Sequence, residues 1–285
     1  MALMSLIDCA LSDFYGAKMT YEPHELRERI RLARSIVGAA RELIMGFRGN
    51  IGRVTHKGVV DLVTEADKGA EALLIGAIEG AFPEDAILGE EEGRRGPEDA
   101  SWVWYLDPLD GTTNFVHGLE YFAISVGISC GGVLVGGVVD APALGWTCHG
   151  MVGEGAWCDD APVRVSSNEC LGDALLATGF PYDRRETHRE LLEPFERGMR
   201  ESRGLRRCGA AALDLVGVAQ GRFDGFWEPR LQPWDMAAGV AIVRAAGGRV
   251  TAYEGREFDV FGDSVVASNG LLHDSLIEKV VHGQR

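Results

Sequence analysis

Residues 107–115 read Asp107-Pro108-Leu109-Asp110-Gly111-Thr112-Thr113-Asn114-Phe115, directly after the apolar run Trp102-Val103-Trp104-Tyr105-Leu106. The run predicts a strand that delivers Asp107 at its C-terminal end, where a rigid scaffold commonly presents chemistry. Pro108 stiffens the turn between two carboxylates three residues apart. Gly111 lets the backbone pass close to a ligand, and free amides at a helix start can receive phosphate oxygens. Hard divalent cations favour clustered carboxylate oxygens, and Mg²⁺ commonly takes one or two together with a substrate phosphate. The segment therefore points to metal-assisted phosphate chemistry. The competing reading is an Asp-Pro surface turn with capping Asp and Thr.

The chain has 285 residues, enough for two closely packed lobes, and 46% of them are hydrophobic, which supplies a sizeable core. Asp and Glu number 43 against 28 Lys and Arg, a net charge of −15. Such a surface repels nucleic acid and anionic membranes, so neither is an expected partner. It would also repel a phosphorylated substrate unless a bound cation reversed the local sign. Six cysteines without a CxxC pair read as reduced thiols in a cytoplasmic protein, and a structural zinc is not expected. No apolar run reaches the ~18 residues of a membrane-spanning helix, and the N-terminus lacks the basic region of a signal peptide. Residues 1–20 read as an extension. Either Met19 is the true start, or the extension packs on a partner subunit.

Leu26, Ile30, Ala33 and Val37 form a helical stripe after Pro23, and a second helix is expected from about Asp67 to Phe82. Residues 86–89 read as a strand entering Glu90-Glu91-Glu92. Residues 121–164 read as an antiparallel meander with Gly-rich turns. Beyond Ser166 strands and helices alternate: strands at 174–178, 222–227 and 264–267, helices at 188–201, 211–220, 235–246 and 271–280. The expectation is an α/β protein with an α+β N-terminal half, a lobe boundary near residue 165, and lobes spanning 21–165 and 166–285.

Carboxylates stand at element ends in four separate segments: Asp61 to Asp67, Gly89-Glu90-Glu91, residues 107–115, and Trp234-Asp235. Residues 107–118 (DPLDGTTNFVHG) and 234–248 (WDMAAGVAIVRAAGG), with DLVTEAD at 61–67 and ILGEEEG at 87–93, resemble the motifs of the inositol monophosphatase-like, lithium-sensitive, metal-dependent phosphatases. The resemblance covers about residue 23 to the end. It implies a layered αβαβα sandwich, a homodimer, two or three Mg²⁺ ions and inhibition by Li⁺.

By the same resemblance, Glu90, Asp107 and the Leu109 carbonyl match the ligands of one metal site. Asp107, Asp110 and Asp235 match those of a second, with Asp107 bridging. Asp67 and Thr113 match the pair that orients and deprotonates the attacking water, and Glu90 is counted with them as catalytic. Gly111, Thr112 and Thr113 match the phosphate cradle, while Asp110, Gly209, Ala211, Glu228 and Asp235 match contacts to polyol hydroxyls. Ala210 departs from the family's hydroxyl-bearing residue. Glu91 and Glu92 read as loop acids, Asp61 as a cap, Lys57 as an anion-attracting or solvated lysine, His117 as a structural hydrogen-bond partner, and Trp234 as a core residue. Gly179 to Tyr182 read as a rim loop, with Arg184 and Arg185 meeting an anion or solvent. The implied activity is hydrolysis of inositol 1-phosphate, with histidinol phosphate or fructose 1,6-bisphosphate as alternative substrates. A regulatory binding protein is the reading from a different class.

Overall fold

The computed structural model describes residues 21–48, 55–56, 62–63 and 65–284. The N-terminal extension, Lys57 and Asp61 lie outside these residues.

Helix α1 (Pro23–Phe47) begins with Pro at its first position and a capping box in which the Glu25 carboxylate accepts the Glu22 amide at 2.7 Å. Its stripe of Leu26, Ile30, Ala33, Ile36, Val37, Ala40 and Ile44 is buried. After the short pair β1 (Thr55–His56) and β2 (Leu62–Val63), α2 (Glu65–Ala81) packs against α1. Next come β3 (Ala86–Gly89), β4 (Gly93–Arg95), β5 (Trp102–Asp110) and the short helix α3 (Thr112–Val116). The meander is β6 (Ala123–Cys130), β7 (Val133–Ala141), β8 (Trp146–Met151), β9 (Gly155–Cys158) and β10 (Ala161–Val163). These strands form one eight-stranded sheet ordered β10-β9-β8-β7-β6-β5-β3-β4. It is antiparallel except at β3 and β5, which run parallel because β4 and residues 96–101 between them return the chain to the same end.

The second sheet contains β11 (Leu175–Thr178), β12 (Gly204–Arg206), β13 (Gly225–Pro229), β14 (Arg249–Thr251) and β15 (Ser264–Ser268), ordered β12-β11-β13-β15-β14. Helices α4 (Arg184–Glu201), α5 (Ala211–Ala219) and α6 (Pro233–Ala245) alternate with these strands. The chain closes with α7 (His273–Ser275), which widens into a π-helical stretch over Leu276–Val281. One apolar core holds α1 and α2 against Trp104, Leu106, Val126, Ile128 and Val138. A second lies between the sheets, where α5 and α6 meet Tyr105, Val139, Phe226 and Val265. A third packs Leu276 and Val280 on Leu176 and Trp227. The layers therefore run helix, sheet, helix, sheet, helix, as the resemblance implied.

Glycines set how close the middle layer lies to the large sheet. A Cβ on Gly127 would stand 2.5 Å from Ala237 Cβ, and one on Gly137 would stand 2.6 Å from Ala238 Cα. The bare backbones of β6 and β7 thus let α6 rest directly on the sheet, which brings its N-terminus over the end of β5.

Three details depart from the sequence reading. The strand expected at 222–227 forms at Gly225–Pro229, because the Arg222 and Phe223 amides both bond Gly217 O and close α5 first. Helix α4 starts at Arg184 rather than 188, so Arg184 is helical, while Arg185 faces solvent. The six cysteines are not all thiols: Cys148 and Cys158 are disulfide-bonded, directly opposite in the β8–β9 register. Gln220 Nε2 donates to both sulfurs, at 3.3 and 2.9 Å. Hairpin register brings the two together, and a spacing of ten residues carries no sign of that.

Candidate active site

Strand β5 carries Asp107 and Asp110 through a bulge. Asp107 pairs with Ser125 and Asp110 with Ala123, so one residue is inserted on β5. Pro108 falls within this irregularity, where its missing N–H breaks no ladder bond. The bulge gives Asp107 a turn-like bond of its own, its Oδ1 accepting the Leu109 amide at 2.9 Å. Gly111 follows with φ 87°, and a Cβ there would crowd Tyr121 O at 3.1 Å and Gly209 O at 3.2 Å, so only glycine fits. The chain then enters α3 with Thr112 and Thr113. Thr112 Oγ1 donates to Leu109 O at 3.0 Å, while Thr113 is exposed.

The other acids arrive from distant elements. Glu90 leaves the end of β3 with its amide bonded to Leu106 O at 3.2 Å. Asp67 stands buried in the first turn of α2. Asp235 occupies the third position of α6, where its Oδ2 accepts the Gln232 amide at 2.8 Å in a capping box. Asp110 reaches across 100 residues of chain to α5. Its two oxygens accept the Ala211 amide at 3.3 Å and the Ala212 amide at 2.7 Å. The N-cap of that helix is Ala210, which has no side chain to serve it, and Asp110 fills the role.

Burial, and then the charges of Glu90, Asp110, Asp235 and Asp67, push the Asp107 carboxyl well above its ordinary range. Burial and acidic neighbours push Asp110 and Asp235 up to about 7, against the opposing pull of their amide partners. Like charges are thus crowded where the donors are all hard oxygens, which fits a divalent cation. Among the described residues no three His, Cys, Asp or Glu side chains already converge at ligand spacing. Asp107, Asp110 and Asp235 turn oxygens toward amides, yet each of those oxygens keeps a lone pair for a cation.

From the second sheet, Glu228 on β13 is 6% exposed, and burial raises its carboxyl well above the ordinary range. A Cβ on Gly179 would lie within the Glu228 carboxylate, so the rim loop needs glycine there. Gly209 has φ 93° and leads through Ala210 into Ala211 at the start of α5. Tyr182 is exposed at the rim, and Arg184 turns back to donate to Pro181 O at 3.4 Å. Trp234 is half-buried rather than a core residue. Its carbonyl accepts a hydrogen bond from Ser125 Oγ. His117 makes its structural bond through its backbone amide to Thr113 O, and its ring is exposed.

Several buried acids escaped the sequence reading, and one of them acts on the turn that presents Glu90. Glu71 is fully buried on α2, and its carboxylate accepts the amides of Glu91 at 3.2 Å and Glu92 at 2.9 Å. It clamps the turn that presents Glu90 and leaves Glu91 and Glu92 as loop acids. A Cβ on Gly89 would strike its Oε1. The available signal was an acid four residues after Asp67 on the apolar face of a helix.

A layered α/β fold that gathers buried carboxylates beside a Gly-Thr turn defines a metal-dependent phosphoric monoester hydrolase. Residues 25–285 match the family model of the inositol monophosphatase family, and the chain belongs to that family. It is 42% identical over 273 residues to "Phosphatase IMPL1, chloroplastic" of Arabidopsis thaliana, covering 93% of this chain and 73% of that protein. An inositol-1-monophosphatase of Synechocystis is 39% identical over 260 residues, 91% of each chain. The solved inositol monophosphatase of Anabaena superposes with a TM-score of 0.82 at 38% identity, covering 89% of this chain and 95% of that one.

Proposed function

We propose that this chain hydrolyses inositol 1-phosphate, or a closely similar polyol phosphate, to the free polyol and phosphate. The cluster of Asp107, Asp110, Glu90 and Asp235, in which acidic neighbours bear on the buried Asp107, carries the reading. Those residues and the Leu109 carbonyl would hold two or three Mg²⁺ ions, which supply charge neutralisation and a more acidic water. Gly111, Thr112 and Thr113 present their amides to the phosphate oxygens. Asp67 accepts the proton that the Thr113 hydroxyl relays from the attacking water, since a hydroxyl alone is too weak a base. Glu228, with Asp110 and Asp235, accepts hydrogen bonds from the polyol hydroxyls, and Gly209 and Ala211 line that side. The lobe spanning 21–165 thus supplies the metal and phosphate groups, and 166–285 completes the polyol side.

We further propose a cytoplasmic homodimer without nucleic-acid or membrane partners. The net charge of −15 supports the absence of nucleic-acid and anionic-membrane partners, and the homodimer rests on the family resemblance. Among the described residues no helix is long and apolar enough to cross a membrane.

The test is an assay with Mg²⁺ on inositol 1-phosphate, histidinol phosphate, fructose 1,6-bisphosphate and 3′-phosphoadenosine 5′-phosphate, with and without Li⁺. A lithium-sensitive preference for inositol 1-phosphate is expected. Preference for another ester would keep the metal site and overturn the roles given to Thr113 and Glu228. No turnover of any ester would favour the regulatory reading.

A further inference from the structure

A chain of hydrogen bonds joins the phosphate turn to the loop before α5. Asn114 follows Thr113 on α3 and is buried. Its Nδ2 donates to Tyr121 O at 2.6 Å and to Cys208 O at 2.9 Å. The Tyr121 hydroxyl in turn donates to Asp214 Oδ1 at 2.8 Å. Asp214 is 1% exposed. Asp214 lies one turn inside α5, the helix whose first amides hold Asp110. Space across this junction is tight: a Cβ on Gly209 would come within 3.2 Å of Asn114 Nδ2. The two loops therefore touch, and polar side chains anchored on both sides set their spacing.

We propose that Asn114, Tyr121 and Asp214 are positioning residues that hold the 207–211 loop at a fixed distance from the phosphate turn. They thereby select leaving groups able to reach both at once. The inference rests on the phosphatase reading above and adds to it a source of leaving-group selectivity. An ester whose leaving group makes no use of the loop should not sense the brace. A polyol ester must fit both sides and should sense it fully.

The test compares inositol 1-phosphate with p-nitrophenyl phosphate, whose leaving group has no hydroxyl for the loop. Tyr121→Phe keeps the ring and removes the bond to Asp214. It should lower kcat/KM on inositol 1-phosphate about tenfold, the worth of one positioned hydrogen bond. Activity on p-nitrophenyl phosphate should stay within about twofold. Asp214→Asn, whose amide oxygen still accepts from Tyr121, should restore near-wild-type selectivity, whereas Asp214→Ala should repeat the split. Thermal melts identify any variant that fails to fold, and the remaining ones carry the comparison. An equal fall on both esters, or a fall on neither, overturns the brace. If the wild type prefers another polyol phosphate, the substrate assignment fails alone and the split is read on that ester. A wild type inactive on every ester overturns both.

Discussion

Asp85 and Asp107 both have their carboxylates buried against β5, yet the protein treats them in opposite ways. Asp85 is 7% exposed and fully compensated. Arg29 reaches it in a fork with bonds of 2.8 and 2.7 Å, and Trp104 Nε1 adds a third at 2.8 Å. The Arg29 guanidinium lies 4.4 Å from the centre of the Phe82 ring and 4.0 Å from that of Trp102. Asp107 sits three residues beyond Trp104 on the same strand and is 2% exposed. The charges acting on it are those of Glu90, Asp110, Asp235 and Asp67, all acids. Buried charge with its own counter-ion is structure; buried charge facing only like charge is a place kept for a cation from solution.

The contrast is sharpened first at Asp85. Asp85→Ala leaves Arg29 buried without its partner and should cost about 3–5 kcal/mol of stability. A urea melt reads this, and kcat per folded molecule should hold. Next in size is Asp107→Asn, which should lower kcat about 10²–10³-fold, or about 2.7–4 kcal/mol of transition-state stabilisation. Tm without Mg²⁺ should be unchanged or higher, because one repelling charge is gone. A large loss of Tm with activity retained would reverse the assignment of the two residues.

The smallest effect is on pH dependence. Asp110 and Asp235 are held at about 7 when folded, against about 4 in the unfolded chain. Carboxyls raised on folding favour the protonated native state. Their stabilisation is complete below pH 4 and is lost as pH rises through 7. Without metal, the contribution of these groups should therefore lower Tm between pH 5 and 8. Mg²⁺ competes with those protons, so it should raise Tm by a few degrees more at pH 8 than at pH 5. An equal Mg²⁺ effect at both pH values would mean that the cation does not bind among these carboxylates.

Much of the site was legible because its grammar is local. An apolar run followed by Asp-Pro-Leu-Asp-Gly-Thr-Thr announces a strand end, two carboxylates and a glycine turn within nine residues. The stripe of α1 and the Gly-rich meander were legible for the same reason. Some of what was missed is non-local. Asp110 caps a helix that begins 101 residues later, Glu71 clamps a turn from the neighbouring helix, and Cys148 meets Cys158 only once the hairpin register is set. Strands β4, β12 and β14 were missed because three residues each leave no period to read.

By itself, the sequence determined which residues could do chemistry, since side-chain type and local backbone preference are properties of short segments. Only the tertiary structure decided which of them meet. Bringing Asp235 over Asp107 required the bare glycines of β6 and β7 to admit α6, and no local preference encodes that contact. Its stability comes from burying the whole middle layer between two sheets.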